Sequence, residues 1–464
     1  MNVQQLYTNC LAQGAYYVAS NGEAAIIDPL RETAPYLEML KKNGDTLKYV
    51  FETHFHADFV SGHIDLAGAT VATIVFGPGA KTNYDSYTAK DGELFSIGEL
   101  KIKVLHTPGH TPESACYLLL DKNHKELCLF SGDTLFIGDV GRPDLAIKSG
   151  LGQEDLAGML YDSLRNKIMP LRDDVTIYPA HGAGSACGKN MSKETSDTLG
   201  NQKKTNYALS NISKQEFIRE LTSGILPPPG YFAGNAKLNQ TGYKNYSEVI
   251  EEGVVALNHS TFKMIAAEKD TVILDVRTAE QFAKGHIRGS LFVGLDGQFA
   301  PWAGAVLPSL ETPILLVAPE GREEEAVKRL SRVGYDNCRG YLNGGIESWT
   351  RSGENVDTVD SISAAEFLSR YHKGEFTLDV RKPGEFDKAH LKFAKNQPLD
   401  LIKNWVEDLD KQRSYLVHCQ GGYRSMIGIS IMKAAGFHHL TNVEGGYGAI
   451  SKLEPAAEVT AGPQ

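Results

Sequence analysis

Short apolar runs separated by Gly, Asp and Asn turns dominate the chain up to about residue 240. Their length and their turn boundaries predict β-strands. The clearest of these runs lie at residues 24–27, 71–76, 100–105, 115–120 and 127–130. Two stretches with helical spacing, at residues 33–42 and 153–165, interrupt them. Strands with interspersed helices predict stacked sheets whose outer faces are covered by helices.

Beyond this region the pattern changes and then repeats itself. Residues 224–232 contain two glycines and three consecutive prolines, which break helix and strand alike. The polar stretch up to residue 247 predicts an irregular connector. The run ILDVR at 273–277 then returns as TLDVR at 377–381, and LNGG at 342–345 returns as VEGG at 443–446. Each repeat alternates apolar strands with helical runs, which predicts a small α/β domain with a mostly parallel sheet.

The length of 464 residues is too great for one ordinary domain, and about 150 residues per domain suggests three. The connector and the repeats place these domains at residues 1–245, 246–355 and 356–464. The expected fold class is therefore a multidomain α/β protein.

Composition and charge narrow the possible partners. The formal net charge is −10 and no long basic run is present, which argues against nucleic acid and anionic membrane surfaces. No apolar stretch approaches the roughly 18 residues of a membrane span, and the first ten residues lack the basic-then-apolar order of a signal peptide. Six cysteines are scattered without a CxxC pair, which predicts a reducing, cytoplasmic location.

Two histidines and an aspartate stand close together in THFHADF, at residues 53–59. An apolar run at residues 47–51 precedes them and predicts a buried strand. His54, His56 and Asp58 therefore lie at a strand end, where a rigid sheet presents functional groups in loops. Imidazole and carboxylate together suit zinc, iron or manganese rather than calcium or magnesium. We expect a metal site here rather than a solvated polar loop.

Three further polar clusters follow strand-like runs: HTPGH at 106–110, SGDT at 131–134 and YPAHG at 178–182. In this order the clusters resemble the successive metal loops of the metallo-β-lactamase superfamily, which implies an αββα sandwich. One departure is Phe59, which stands where dinuclear members have a histidine for a second metal. The resemblance then implies a missing or crippled second site, which argues against a glyoxalase II-type hydrolase and a β-lactamase. His106 lies outside the motif positions and receives no role.

The longer stretch SGDTLFIGDVGRPDL, at residues 131–145, resembles a narrower group, the persulfide dioxygenases. These enzymes bind one ferrous ion through two histidines and one aspartate. The resemblance implies His54, His110 and Asp133 as ligands of one Fe(II) per chain. Two imidazoles and one carboxylate on one face of an ion leave positions open for substrate and dioxygen. His56 and Asp58 would orient these ligands or hold an outer water.

Four more residues are candidates for the same pocket. His181 either contacts the substrate or is a structural loop histidine. Arg142 and Asp144 form a buried pair that shapes the pocket, or Arg142 grips a substrate carboxylate or phosphate. Cys187, in the Gly-rich segment HGAGSACGK at 181–189, either exchanges a persulfide near iron or is a small buried hydrophobe. We place His181, Arg142 and Cys187 at the substrate, with Asp144 supporting them.

Both repeats resemble rhodanese domains. The second contains HCQGGYRS at 418–425, between a predicted strand and a predicted helix. Converging backbone N–H groups and a helix N-terminus favour a thiolate and then a persulfide anion at Cys419, and Arg424 adds positive charge for an anionic acceptor such as sulfite. The first repeat has Ala318 in place of this cysteine, followed by acidic residues 323–325. We expect an inactive domain kept for packing or assembly, which Cys338, in a later strand, does not rescue.

Over nearly its full length the chain resembles fusions of a persulfide dioxygenase with rhodanese-like domains. The resemblance implies that dioxygen oxidises a small-molecule thiol persulfide to thiol and sulfite, and that sulfur transfer to sulfite gives thiosulfate. Enzymes of this type are commonly oligomers, so we expect a homo-oligomer. The alternatives are a zinc hydrolase of the glyoxalase II type fused to a sulfurtransferase, and a sulfur-relay or sensor protein that only binds persulfide. The thiol stays open among glutathione, coenzyme A and others.

Overall fold

The computed structural model describes residues 2–145, 150–225 and 227–454. The chain forms two compact units, one running to Glu248 and including residues 330–334, the other formed by 249–329 and the residues from 335 onward. Residues 455–464 of the third predicted domain lie outside the described part. Within that part, no helix is long and apolar enough to cross a membrane, and all six cysteines are free thiols.

Two six-stranded sheets make up the first unit. The first has its strands in chain order, β1 Asn2–Thr8, β2 Gln13–Ser20, β3 Glu23–Ile27, β4 Thr46–Glu52, β5 Thr73–Phe76 and β6 Tyr87–Thr88. The second has the order β12-β11-β10-β9-β8-β7, formed by β7 Leu94–Ile97, β8 Leu100–His106, β9 Ala115–Leu120, β10 Glu126–Gly132, β11 Thr176–Pro179 and β12 Asp197–Thr198. The neighbours β3, β4 and β5 pair in parallel, as do β10 and β11. Parallel neighbours bring consecutive strand ends to one edge.

Six α-helices accompany the two sheets in the described part of the first unit. They are α1 Ala34–Asn43, α2 His63–Thr70, α3 Gln153–Ser163, α4 Leu199–Thr205, α5 Lys214–Thr222 and α6 Phe232–Thr241. One apolar core joins the facing sides of both sheets, a second joins the first sheet to α1 and α2, and a third joins the second sheet to α3 and α5. The predicted layered αββα arrangement is confirmed.

Two local predictions in this unit were wrong. The strand expected from residue 71 begins at Thr73, because Val71 ends α2 in a left-handed conformation with φ of 60° and is 93% exposed. The connector predicted to be irregular contains α6, whose polar composition concealed it. Its buried face carries Phe232, Asn235 and Asn239, so two amides face the protein interior beside a single aromatic ring.

The second unit contains the two repeats, each with one all-parallel five-stranded sheet. The first has the order β13-β17-β16-β14-β15, with β13 Ala256–Leu257, β14 Val272–Asp275, β15 Leu291–Phe292, β16 Ile314–Val317 and β17 Cys338–Leu342. The second has the order β18-β22-β21-β19-β20, with β18 Asp360–Ile362, β19 Thr377–Asp379, β20 Lys395–Asn396, β21 Tyr415–His418 and β22 Leu440–Val443. The identical order of the strands confirms the repeat seen in the sequence.

Helices flank both of these sheets. Those around the first repeat are α7 Tyr246–Gly253, α8 His259–Ala266, α9 Ala279–Lys284, α10 Phe299–Val306, α11 Glu323–Ser331 and α12 Gly345–Arg351. Those of the second are α13 Ala364–Tyr371, α14 Pro383–Lys388, α15 Ile402–Trp405, α16 Tyr423–Ala434 and α17 Gly446–Leu453. In each repeat the loop after the central strand, β16 or β21, leads into a helix, which places residues 318 and 419 at corresponding strand ends.

Candidate metal and sulfur-transfer sites

Three buried side chains from separate strand ends meet in the first unit. His54 follows β4, His110 follows β8 and Asp133 follows β10. Asp133 Oδ2 lies 3.4 Å from His110 Nε2 and 3.9 Å from His54 Nε2. Among the described residues, His54 Nε2 and both carboxylate oxygens of Asp133 are buried without a hydrogen-bond partner. Buried polar atoms without partners are costly, so their convergence fits a metal ion of the kind that imidazole and carboxylate bind together.

Hydrogen bonds hold the two histidines in the tautomer that a metal requires. Nδ1 of His110 donates to the backbone carbonyl of Arg142 at 2.8 Å. Nδ1 of His54 lies 3.0 Å from Thr53 Oγ1, which itself donates to Asp28 at 2.9 Å. Both rings therefore keep Nε2 for a metal. Burial lowers the pKa of His54 well below its ordinary value, so this ring stays neutral, as a ligand must.

Two glycines allow the ligand loops to approach one another. Gly132 has φ of 52°, and a Cβ there would lie 2.6 Å from Thr53. A Cβ on Gly141 would lie 2.2 Å from the carbonyl oxygen of Asp133 and 2.8 Å from His110 Nδ1. A side chain at either position would displace a metal loop. The glycines in the SGD and GRPD segments are therefore packing requirements of the site.

His56 lies beside the triad but is bound to two other carboxylates. Its Nε2 is 3.1 Å from Asp28 and 3.4 Å from Glu52, and its ring packs on Phe59 with centroids 4.3 Å apart. Burial alone would lower the pKa of His56, but the carboxylates raise it to about 10. Glu52 also contacts His63 at 3.3 Å. This position suits the predicted role of His56 in orienting the ligand loop, whereas Glu52 and His63 were not singled out by the sequence.

A second group of possible ligands adjoins the triad. His181 Nε2 lies 3.3 Å from Asp58 and 3.6 Å from Asp133. Cys187 forms a further group with Asp133 and His181, whose ligand atoms lie within 4.8 Å of one another. Phe59 is fully buried with its ring centroid 6.3 Å from that of His181, and it offers no ligand atom. Several side chains that could bind a metal therefore lie next to the triad. At the position where the motif of dinuclear members has a histidine, however, this chain has the phenyl ring of Phe59.

The protonation of His181 and of Cys187 follows from their surroundings. Burial alone would lower the pKa of His181, but Asp58 and Asp133 raise it well above its ordinary value. Burial raises the pKa of the Cys187 thiol to about 12. Cys187 is therefore beside the triad, where a substrate contact was predicted, but as a neutral thiol, which is a poor nucleophile.

Arg142 and Asp144 form a buried ion pair. This pairing was one of the two predicted alternatives, the other being that Arg142 binds a substrate carboxylate or phosphate. Nε and Nη2 of Arg142 donate to the carboxylate at 2.6 and 2.7 Å, and Nη1 donates to the carbonyl of Ala186 at 3.2 Å. The backbone of Arg142 accepts from His110 and donates to the carbonyl of Cys187 at 3.0 Å. The pair therefore joins a metal loop to the Gly-rich segment and shapes the pocket wall.

Asn239 on α6 clamps the backbone of the loop that begins with His54. Its Nδ2 donates to the carbonyls of His56 and Phe59 at 2.7 and 2.8 Å, and its Oδ1 accepts from the N–H of Ser61 at 2.9 Å. The side chain is 1% exposed. Because 178 residues separate Ser61 from Asn239, no local spacing in the sequence indicates this contact.

Cys419, the cysteine predicted to carry sulfur, directly follows β21. The N–H of Gly422 donates to its Sγ at 3.1 Å, and Ser425 Oγ lies 3.6 Å from the sulfur and 2.7 Å from Asn442 Oδ1. The N–H of Tyr447 donates to the Cys419 carbonyl at 2.7 Å and closes the loop. An N–H donor and the N-terminus of α16 favour negative charge on this sulfur.

Arg424, predicted to attract an anionic acceptor, is paired in the structure. Its Nη1 and Nη2 donate to the carboxylate of Glu385 at 2.6 and 2.7 Å. Sequence reasoning missed Glu385, which comes from α14, 39 residues away. An acceptor that uses Arg424 must share this guanidinium with Glu385 or displace that carboxylate.

The first repeat contacts the helix that carries the reactive loop of the second. Tyr423, between Gly422 and Arg424, donates its hydroxyl to the carbonyl of Gly294 at 2.8 Å. Ser430 on the same helix accepts from a backbone N–H of the first repeat at 3.0 Å. The repeat with Ala318 therefore supports the neighbouring site through packing.

Comparison with known proteins agrees with this architecture. Residues 9–181 match the metallo-beta-lactamase superfamily, and residues 259–352 and 363–453 match the rhodanese-like domain. The chain belongs to the metallo-β-lactamase superfamily, with two rhodanese-like domains following the metal-binding one. The predicted fold and order of domains are confirmed.

Individual relatives carry two different activities. Human persulfide dioxygenase ETHE1, mitochondrial, is 31% identical over 211 residues, or 45% of this chain and 74% of that protein. The probable hydroxyacylglutathione hydrolase glo2 of Schizosaccharomyces pombe is 33% identical over 160 residues, or 34% of this chain and only 58% of its own length. A solved structure, a metallo-beta-lactamase from Staphylococcus aureus, is 33% identical with a TM-score of 0.65 and covers 74% of this chain and 98% of its own. Enzymes of both kinds are relatives at similar identity, so the residues of the site must distinguish between them.

Proposed function

We propose that the first domain is a non-haem Fe(II) persulfide dioxygenase and that Cys419 transfers sulfur to its product. The observation that carries the proposal is the convergence of His54, His110 and Asp133, with Phe59 at the motif position of a further ligand. Two imidazoles and one carboxylate are the donor set of mononuclear iron oxygenases. The likeness to a persulfide dioxygenase over 74% of its length supports this choice.

The iron would be held by His54, His110 and Asp133, and when bound it would supply the activation of dioxygen toward the terminal sulfur of a thiol persulfide. The chain contributes the orientation of both imidazoles, through Thr53 and the Arg142 carbonyl, and a buried pocket that limits access of water. Persulfide, dioxygen and one water give thiol, sulfite and two protons. Sulfur is oxidised and dioxygen is reduced, so no further reductant is needed.

The bonds that form and break in the sulfur transfer involve residues of the second repeat. The Cys419 thiolate attacks the terminal sulfur of a second persulfide, forms a new S–S bond and releases the thiol. Sulfite then attacks that outer sulfur, the S–S bond to Cys419 breaks, and thiosulfate leaves with the thiolate restored. The Gly422 N–H, at 3.1 Å from Sγ, stabilises the anion before and after transfer. Production of the acceptor on the same chain raises its effective concentration.

One observation favours a different first-domain activity, that of a zinc hydrolase of the glyoxalase II type. His56, Asp58 and His181 also bring ligand atoms within 4.8 Å of one another, and hydroxyacylglutathione hydrolases are relatives. A dinuclear hydrolase would recruit this group with Asp133 as the shared ligand. Against it stand Phe59 and the attachment of His56 to Asp28 and Glu52.

Metal content and products test the proposal together. We expect about one iron per active chain, since the triad is a mononuclear donor set. Asp133→Ala should lose both iron and oxygen uptake with glutathione and coenzyme A persulfides. Cys419→Ser should keep oxygen uptake and change the product from thiosulfate to sulfite plus thiol, because the neutral hydroxyl is a poor nucleophile without a base.

Three results would contradict this assignment. Two tightly held zinc ions per active chain, with thioester hydrolysis and no oxygen uptake, would select the hydrolase. Oxygen uptake by Asp133→Ala would show that the ligands are wrong. Undiminished thiosulfate from Cys419→Ser, corrected for spontaneous reaction of sulfite with persulfide, would show that another group carries sulfur. Phe59→His is the matched variant for metal count, because it restores an imidazole and should raise the zinc capacity.

A further inference from the structure

The two repeats bury the same arginine–aspartate pair at the same place in their sheets. In the first, Arg277 donates through Nε and Nη2 to Asp275, and Nη2 also donates to the Gly285 carbonyl at 2.7 Å. In the second, Arg381 makes the corresponding bonds to Asp379, and its Nη2 donates to a carbonyl at 2.9 Å. Both arginines lie beside the loop that follows the central strand. They therefore permit a direct comparison of the two loops.

In the second repeat the outer side of the arginine is covered. The ring of Tyr447 lies 3.9 Å from the Arg381 guanidinium, and Gln420 Oε1 lies 3.5 Å from its Nη1. The Gly-Gly turn before α17 is pressed against the reactive loop, since a Cβ on Gly446 would lie 2.3 Å from the Cys419 carbonyl. Protein groups thus occupy the space around this cation.

In the first repeat other residues stand at the two covering positions. Ile346 corresponds to Tyr447, and Pro319 corresponds to Gln420. A Cβ on Gly345 would lie 4.0 Å from the Ala318 carbonyl, so the turn and the loop have separated. Among the described residues, no hydrogen-bond partner reaches Nη1 of Arg277, although the side chain is only 7% exposed.

The separation leaves a cavity of about 1080 Å³ with Arg277, Ala318 and Ile346 in its wall. This volume accommodates a molecule the size of a nucleotide or a tripeptide. The half-buried Glu323 and the exposed Glu320 and Glu347 also line it. The wall thus combines one buried cation and three carboxylates with two further basic side chains, Lys284 and Arg351.

We propose that this cavity binds a small zwitterion with a carboxylate on Arg277 and an ammonium group facing the glutamates. A guanidinium with a free N–H prefers a carboxylate oxygen as acceptor. The methyl of Ala318 stands where the reactive sulfur of the second repeat lies, so a bound persulfide would be held without being cleaved. The choice of a peptide-like thiol as the zwitterion rests on the proposed function. The expected contacts of its carboxylate and ammonium groups do not depend on that function.

Hydrogen–deuterium exchange on the full-length chain tests the site with glutathione as the probe. We expect glutathione to slow exchange in residues 318–323 and 343–351, which border the cavity. The double variant Ile346→Tyr with Pro319→Gln rebuilds the cover of the second repeat and should weaken this protection at least tenfold. Met264→Tyr is the matched control, because it adds a ring at a position that is 64% exposed and outside the cavity wall, and it should bind like the native chain.

The outcomes separate cleanly. No protection in the native chain at millimolar glutathione overturns the proposal, and so does protection that survives in the covered variant. Equal protection by glutathione diethyl ester, which lacks free carboxylates, or by inorganic sulfate also overturns the assigned ligand class. The measurement involves neither iron nor oxygen, so it can fail while persulfide-dependent oxygen uptake succeeds, and the reverse.

Discussion

Replacing Asn239 by Leu removes three hydrogen bonds from the backbone of the metal loop and keeps nearly the same side-chain volume. The lost bonds are those to the carbonyls of His56 and Phe59 and from the N–H of Ser61. A neutral hydrogen bond contributes about 1 kcal/mol. Without the three bonds, the ordered conformation of the loop should be less stable by about 3 kcal/mol relative to conformations in which the loop is open. Since 1.4 kcal/mol corresponds to a factor of ten, iron should bind on the order of a hundredfold more weakly.

The chain supplies a control one helical turn earlier. Asn235 is fully buried, and neither polar atom of its side chain has a hydrogen-bond partner in the described residues. Asn235→Leu removes polar atoms that gain nothing in the folded protein. It should leave iron binding unchanged and raise the unfolding temperature or leave it unaltered.

The assay is competition for Fe(II) with a chelator of known affinity, accompanied by thermal unfolding of each variant. Unfolding reports the stability of the whole unit, whereas the chelator reports the loop that presents His54. If Asn239→Leu bound iron as tightly as the native chain, the proposed effect of Asn239 on the metal loop would be refuted. Equal loss of iron by Asn235→Leu would show that any change in the buried face of α6, rather than these three bonds, controls the site.

Three further predictions concern the second unit. Tyr423→Phe should slow thiosulfate formation about fivefold, since one hydrogen bond is worth about 1 kcal/mol. Tyr415→Phe should not slow it, because the bond of Tyr415 to the carbonyl of Asp410 is made at the end of β21 away from the loop. Ala318→Cys should give little sulfurtransferase activity because its loop lacks the cover of the active repeat; a rate like that of Cys419 would contradict this. Burial lowers the pKa of His286 and of His418, so at these two positions the unfolded chain binds more protons than the folded one. The free energy of unfolding that the two histidines contribute should therefore be fully present above about pH 6.5 and decrease below it. An unfolding temperature of the second unit that stays constant between pH 7 and 5 would refute this assignment.

Features encoded locally could be read from the sequence. The candidate triad followed from the resemblance of short local motifs to those of the persulfide dioxygenases, and His110 and Asp133 stand within a few residues of the end of an apolar run. The two repeats were found because the same turns recur, and Ala318 was identified by the same alignment. In each case the informative residues are neighbours in the chain, so period and spacing carry the signal.

Long-range contacts could not be read in this way. The clamp by Asn239 and the pair of Arg424 with Glu385 depend on how separate elements pack. Polar residues such as Asn239 indicate a solvent-facing segment by composition, and only the fold shows that the amide faces inward. The position of Val71 depends on where α2 ends, which a run of apolar residues does not reveal.

The change from an imidazole to Phe59 has a consequence beyond the loss of one ligand. The phenyl ring packs on His56, whose Nε2 contacts the carboxylates of Asp28 and Glu52 and whose pKa these raise to about 10. A metal ion at His56 would have to displace this proton and compete with both carboxylates, so His54 is the more accessible histidine of the first motif. A divalent ion held by two neutral imidazoles and one carboxylate retains one positive charge. That charge would attract an anion such as a persulfide at the open positions more strongly than it attracts the uncharged carbonyl of a thioester.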